Sequence, residues 1–189
     1  MNKNNPFFWQ SQFDFLKYFE KYPLGKIMVI VANYFIWFFL FYISFLLIKS
    51  NINIFWQILV ATIIGEIIEK YGKNHALWRR PLYQRNDSTP VGLVDRWYKT
   101  GSFPSGHTIK ATFFYLFLLQ YPVFDPNNYL LITVPLLFFR ILIGFHYPID
   151  MLGGAIIGGF IWLISHQIFF PPFLNNIIQA IFNFVFFIK

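Results

Sequence analysis

From Ile27 to Ile48 the chain runs for 22 residues without a charged side chain. As an α-helix rising about 1.5 Å per residue, such a segment is roughly 33 Å long, enough to cross a hydrocarbon core of about 30 Å. Composition argues against the other place for it, the interior of a soluble domain. Soluble domains are about 45–50% apolar and about 25% charged, whereas this chain is 57% hydrophobic and 12% charged. Disorder is excluded too, because 27 Phe, 11 Tyr and 6 Trp are far more aromatic residues than a disordered chain carries. With no Cys, the chain has no disulfide, thiol catalysis, Cys-ligated zinc or iron–sulfur cluster. Its 189 residues are read as one integral-membrane domain, 1–189.

Four more apolar runs follow the first. Ile52 to Ile68 meets Glu66 and Glu69 only at its end; Ser105 to Phe124 is interrupted by Lys110; Tyr129 to Phe145 carries Arg140 near its end; Ile149 to Phe170 is stopped by Pro171-Pro172. Residues 1–26 interleave aromatics with Lys, Asp and Glu. No uninterrupted apolar stretch follows a basic start, so the segment does not read as a cleavable signal peptide. It reads as an amphipathic helix over 7–20 lying at the membrane interface. The tail, 173–188, is uncharged but short, and fits an interfacial helix slightly better than a thin sixth span. The expected fold is all-α: a polytopic transmembrane helical bundle with five spans, an N-terminal amphipathic helix and a possible short sixth span. Apolar runs of helical length do not make a closed barrel.

The chain nevertheless carries a net charge of +7, from 15 Lys+Arg against 8 Asp+Glu. Five spans put the polar 70–108 segment and the short 140–150 connection on one membrane side. Together these hold Lys70, Lys73, His75, Arg79, Arg80, Arg85, Arg96, Lys99, Ser105, His107, Arg140, His146 and Asp150. Of the four His, only His166 lies elsewhere. Nucleic acid is a poor partner for cations placed beside transmembrane helix ends; an anionic lipid or a phosphorylated substrate is a better one.

Three blocks in this region can carry chemistry. In Phe103-Pro-Ser-Gly-His-Thr108, Ser105 can cap the helix that follows and Gly106 allows close approach of a ligand to the backbone, so the helix start is an anion site. An ordinary N-cap would look the same without His107 beside it. In Arg140-Ile-Leu-Ile-Gly-Phe-His146-Tyr-Pro-Ile-Asp150, Pro148 suits the first turn of a helix. Asp150 then lies four residues from His146, where a carboxylate can orient an imidazole that acts as base or nucleophile. The plain alternative is an inert pair, but ionisable groups inside membrane bundles are costly and usually functional. The Lys73-to-Pro81 block would, alone, be a juxtamembrane basic cluster.

Taken in order, Lys73-x6-Arg80-Pro81, Pro104-Ser-Gly-His107 and Arg140-x5-His146-x3-Asp150 resemble the signature of the type 2 phosphatidic acid phosphatase superfamily, which includes membrane lipid phosphatases and vanadium haloperoxidases. The resemblance covers residues 73–150. It implies that His146, oriented by Asp150, attacks phosphorus to give a phosphohistidine, and that His107 protonates the leaving oxygen and then activates water. It further implies that Lys73, Arg80, Ser105, Gly106 and Arg140 hold the phosphoryl oxygens. No metal or other cofactor is implied. The implied partner is a membrane lipid phosphate or diphosphate, with no bearing on oligomeric state. Two departures stand out: Phe139 occupies a position usually held by Ser, expected to make a secondary phosphate contact. Two clear spans, where the family commonly has three, precede the first block, and the 7–20 segment is a candidate substitute.

Orientation pulls two ways. The site side holds all the Lys and Arg except Lys49 and Lys189, which the positive-inside rule assigns to the cytoplasm. Bacterial members of the family usually work on the outer face, and the resemblance therefore places the site on the external face of the cell membrane.

Overall fold

The computed structural model describes residues 5–75, 77–85 and 100–188, with the side chains of 84 and 85 excepted. Among these residues the chain is helical, with seven α-helices: α1 (Phe15–Glu20), α2 (Pro23–Ser50), α3 (Asn53–Asn74), α4 (Gly106–Gln120), α5 (Pro126–Leu142), α6 (Pro148–Ser165) and α7 (Pro172–Val185). Two 3-10 turns, Pro6–Phe8 and Leu82–Arg85, and one antiparallel bridge between Arg79 and Gly101 complete the regular structure.

Proline sets most helix starts. Pro23, Pro126, Pro148 and Pro172 each stand in a first turn, where the missing N–H costs nothing and the fixed φ suits the helix. Asp125 caps α5 by accepting from the Asn128 amide at 2.7 Å. Two helices, α2 and α6, are long and apolar enough to cross a membrane, and α5 is a shorter apolar helix. The other two expected spans exist as helices but differ in kind. The 22-residue α3 carries Glu66, Glu69, Lys70 and Lys73 in its last turns, and α4, with 15 residues, is only about 22 Å long. Both depart from a plain apolar rod at the end where the charged blocks meet.

The single amphipathic helix expected over 7–20 is instead two pieces. Ser11 accepts from the Phe13 amide and Asp14 from the Lys17 amide, both at 3.1 Å. These short side chains satisfy the backbone locally, end one turn and cap the next. The tail forms α7, 14 residues or about 21 Å.

The core lies between α2, α3, α4, α5 and α6, around Ile36, Leu47, Ile54, Phe113, Phe117, Tyr129 and Ile161. The most extensive helix pair is α4 with α6. A Cβ on Gly154 would stand 2.8 Å from the Ser105 carbonyl oxygen and one on Gly158 2.5 Å from that of Ile109. Close packing is the reading the sequence favours for this glycine stripe. It holds for these two; Gly159 faces open space. Large apolar side chains cover the outside: Phe38 on α2 is 73% exposed, Leu131 on α5 72% and Phe160 on α6 62%. Water is a poor solvent for so continuous an apolar surface.

Candidate active site

Backbone hydrogen bonds tie the three blocks together before any side chain acts. The Gly101 amide donates to the Lys73 carbonyl at 3.2 Å, Leu82 to Gly144 at 3.1 Å, and Ser105 to Asp150 at 3.1 Å. Gly144 has φ +81°, and a Cβ there would press on the Leu82 side chain at 3.2 Å. Only glycine turns the chain so tightly while keeping the Leu82 bond. The second block thus rests on the first turn of α6, and the third is pinned to the loop after α3.

Asp150 is the most firmly held member. Fully buried, its Oδ2 accepts from the Tyr147 amide at 2.7 Å and its Oδ1 from the Trp78 indole N–H at 2.8 Å. The same Oδ2 faces His146 Nδ1 at 3.4 Å, a contact longer than a good hydrogen bond and one that a small ring movement would close. Burial, followed by the charges of Arg80, Arg140 and Lys73, holds the His146 imidazole well below the usual histidine range, against the pull of Glu69. At neutral pH it is therefore uncharged, the state a nucleophile needs.

Cations surround it. Arg80 is 1% exposed, and its Nη1 donates to the Phe145 carbonyl at 2.9 Å. Burial pushes its pKa down to about 10, with Asp150 and Glu69 opposing, so it stays charged at neutral pH. Arg140 and Lys73 are buried as well. Arg140 donates to the Asn33 side-chain oxygen and lies over the Phe145 ring at 5.4 Å, and among the described residues its Nε has no hydrogen-bond partner. His107 is half-buried against the Trp37 ring at 4.9 Å, near the cations of Arg140, Lys110 and Lys73, and among the described residues its Nε2 has no hydrogen-bond partner. Ser105 caps α4 as expected, accepting from the Thr108 amide and hydroxyl at 3.4 and 2.9 Å.

All eight predicted site residues therefore lie in one cluster. Others in the region do not. His75 stacks on Tyr71, Arg79 lies over Tyr83, Lys70 is exposed, and His166 stacks on Trp162. Arg96, Lys99 and the Arg85 side chain lie outside the described residues. Phe139 packs on Phe19 of α1 at 5.9 Å, so that position docks the N-terminal helix.

Five residues of the cluster carry no motif: Asn33, Trp37, Glu69, Trp78 and Lys110. Glu69 pairs with Lys73, and its Oε2 accepts from Lys110 Nζ at 3.2 Å. Its carboxylate lies against Gly106 so closely that a Cβ there would fall within 1.7 Å of it. The spacing of Glu69 four residues before Lys73 is a signal that sequence offers for this pair. Nothing comparable marks Trp78 as a donor to Asp150.

Buried cations, an imidazole facing a buried carboxylate and a second imidazole at a helix start form the kind of acid–base site that handles a phosphoryl group. The PAP2 superfamily matches residues 55–173, more than half of the chain. This chain belongs to the PAP2 superfamily. It is also similar to a protein of Escherichia coli (strain K12) named "Putative undecaprenyl-diphosphatase YbjG", with 32% identity over 81 residues, which are 42% of this chain and 40% of that protein. The chain thus matches about two fifths of the length of that curated relative. No solved structure matches the chain.

Proposed function

We propose that the chain is a membrane lipid phosphatase that hydrolyses a phosphate monoester or diphosphate on a lipid headgroup through a phosphohistidine. The observation that carries this is the locked Asp150 beside a buried His146, with Lys73, Arg80 and Arg140 buried around them. With Nδ1 turned to Asp150, Nε2 is the nitrogen left to attack phosphorus. The phosphorus–oxygen bond to the lipid breaks as the P–N bond forms, and the leaving oxygen takes a proton from His107. Water then gives a proton back to His107 and attacks phosphorus, the P–N bond breaks, and inorganic phosphate leaves. Negative charge accumulates on the equatorial oxygens, where the three cations, Ser105 and the Gly106 amide hold it. Fixed charges in a water-poor site are most effective there.

Candidate substrates are undecaprenyl diphosphate, phosphatidylglycerol phosphate, phosphatidic acid and a lipid A phosphate; the name of the E. coli relative favours the first. The apolar outer surface supports a bilayer location in which α2 to α6 supply five spans while the N-terminal segment and α7 lie at the interface. We place the site on the external face of the cell membrane, which cysteine-accessibility labelling in this Cys-free chain can test. A protein that only binds anionic headgroups would account for the cations but not for the tight hold on Asp150.

The decisive experiment is phosphate release from that lipid panel by the purified protein and by His146→Ala. We expect wild-type turnover and a loss of about 10⁴-fold or more in the variant, as removal of a nucleophile produces. An unchanged rate in a folded variant would eliminate the phosphohistidine route.

A further inference from the structure

Lys110 is a buried lysine on α4 with no place in the three blocks. Its ammonium lies 2.7 Å from Glu66 Oε1, 3.2 Å from Glu69 Oε2 and 5.1 Å from the centre of the Trp37 ring. The same Trp37 ring carries the His107 imidazole at 4.9 Å, and Lys110 is among the charges that His107 feels. The Lys110 ammonium and the imidazole proposed to protonate the leaving oxygen therefore share one indole. Glu69 links the two ends of the region, with Oε1 on Lys73 and Oε2 on Lys110. The cluster thus has one ammonium, Lys73, among the cations proposed to bind the phosphoryl group and a second, Lys110, against the indole that carries the proposed leaving-group acid. Glu66 is half exposed, so the Lys110 ammonium sits one ion pair away from the protein surface.

A monoester leaves as an alcohol, which needs a proton and no cation. A diphosphate leaves as a lipid monophosphate, which carries negative charge after the bridging P–O bond has broken, and a fixed cation next to that oxygen stabilises it. Resting on the phosphatase reading above, we infer that Lys110 binds the leaving phosphate of a lipid diphosphate and makes the site selective for diphosphates over monoesters. In the reaction the electron pair of the breaking bond goes to the bridging oxygen, His107 supplies its proton, and Lys110 holds the other oxygens of the departing phosphate. Lys110 exchanges its carboxylate contacts for phosphate oxygens as the substrate enters. A role confined to neutralising Glu66 and Glu69 would make Lys110 a stability residue without effect on substrate choice.

The test is the ratio of kcat/KM for farnesyl diphosphate to that for farnesyl monophosphate, two probes with one tail, measured on the same preparation of the full chain in detergent. Because both values come from one sample, the ratio is independent of the folded fraction. We expect Lys110→Gln to lower the ratio about thirtyfold, the loss of one charge-assisted hydrogen bond. Glu66→Gln, which removes one of the two carboxylates on Lys110 and leaves Glu69 in place, should raise the ratio about threefold on the same scale. If Lys110→Gln does not fold, the Glu66→Gln ratio decides. An unchanged ratio in the folded variants, or parallel losses on both substrates, overturns the inference. Wild-type protein that hydrolyses only the monophosphate also overturns it while leaving the phosphatase reading standing. Wild-type protein inactive on both and on the lipid panel defeats that reading first.

Discussion

The two ends of α3 are both buried and both polar, yet they are built on different principles. At the start, Asn53 and Gln57 use neutral amides to reach backbone carbonyls of the 166–170 segment: Asn53 Nδ2 to Ile168 at 2.9 Å, and Gln57 Nε2 to His166 at 2.9 Å and Ile168 at 3.2 Å. Among the described residues one orphan remains there, Gln57 Oε1. At the other end, Glu69 and Lys73 form a buried salt bridge, and around them His107 Nε2, Arg140 Nε and His146 Nδ1 lack hydrogen-bond partners among the described residues. Burying neutral amides against carbonyls closes a chain turn at small net cost. Burying several charges with acid–base nitrogens left over is costly, and is retained where those groups act on something. Polarity by itself does not mark the site; the leftover hydrogen-bonding capacity of ionisable groups does.

The sharpest way to break this contrast is at Asp150. Asp150→Asn keeps size, and with its oxygen on the Trp78 indole it turns its NH2 toward His146 Nδ1 and gives up the Tyr147 contact; that donation forces the proton onto Nε2 and removes the lone pair that the proposed attack uses. We expect kcat to fall about a thousandfold with substrate binding little changed, in line with tautomer loss in a triad; single-turnover kinetics separates the two. A loss carried mainly by KM would mean that Asp150 serves binding instead. A smaller effect is expected at Trp78, which positions Asp150 through its indole N–H and packs on Phe8 and Phe103 at 5.1 and 5.3 Å. Trp78→Phe keeps the ring contacts and drops one of the donors to Asp150, so kcat should fall about tenfold. The loss should vanish in the Asp150→Asn background, and additive losses in that double variant would show that Trp78 acts by another route.

The helices and the three blocks were legible in the sequence because each depends on local spacing: charge-free runs, prolines at helix starts, and His146 four residues from Asp150. What was not legible is whatever depends on an approach between distant segments. Trp78 and Asp150 are 72 positions apart, and Asn33 and Arg140 are 107 apart; no periodicity links them. The 7–20 segment has a helical aromatic pattern, yet it forms two pieces because Ser11 and Asp14 satisfy the backbone locally between them. Phe139 looked like a missing phosphate contact, and it proves to be half of a contact with Phe19. Glu69 sat at helical spacing from Lys73 and was visible as the end of an apolar run, but its place against Gly106 required the fold.

The smallest expected effect on activity comes from the other end of α3, and it tests whether the two ends are independent. Asn53 Nδ2 donates to Ile168, and its Oδ1 accepts from the Phe170 amide at 3.2 Å. Asn53→Ala strands both backbone groups in a part-buried place, which costs about 1–3 kcal/mol. Tm in detergent should drop by several degrees, while kcat/KM on the best lipid substrate stays within about twofold, since sites this far apart act additively. The site lies about 24 Å along the helix from Asn53. If Asn53→Ala instead lowers kcat at unchanged Tm, α3 transmits a displacement along its length to Glu69 and Lys73. The polar start of the helix would then be part of the catalytic apparatus, not merely a clasp for the chain after α6.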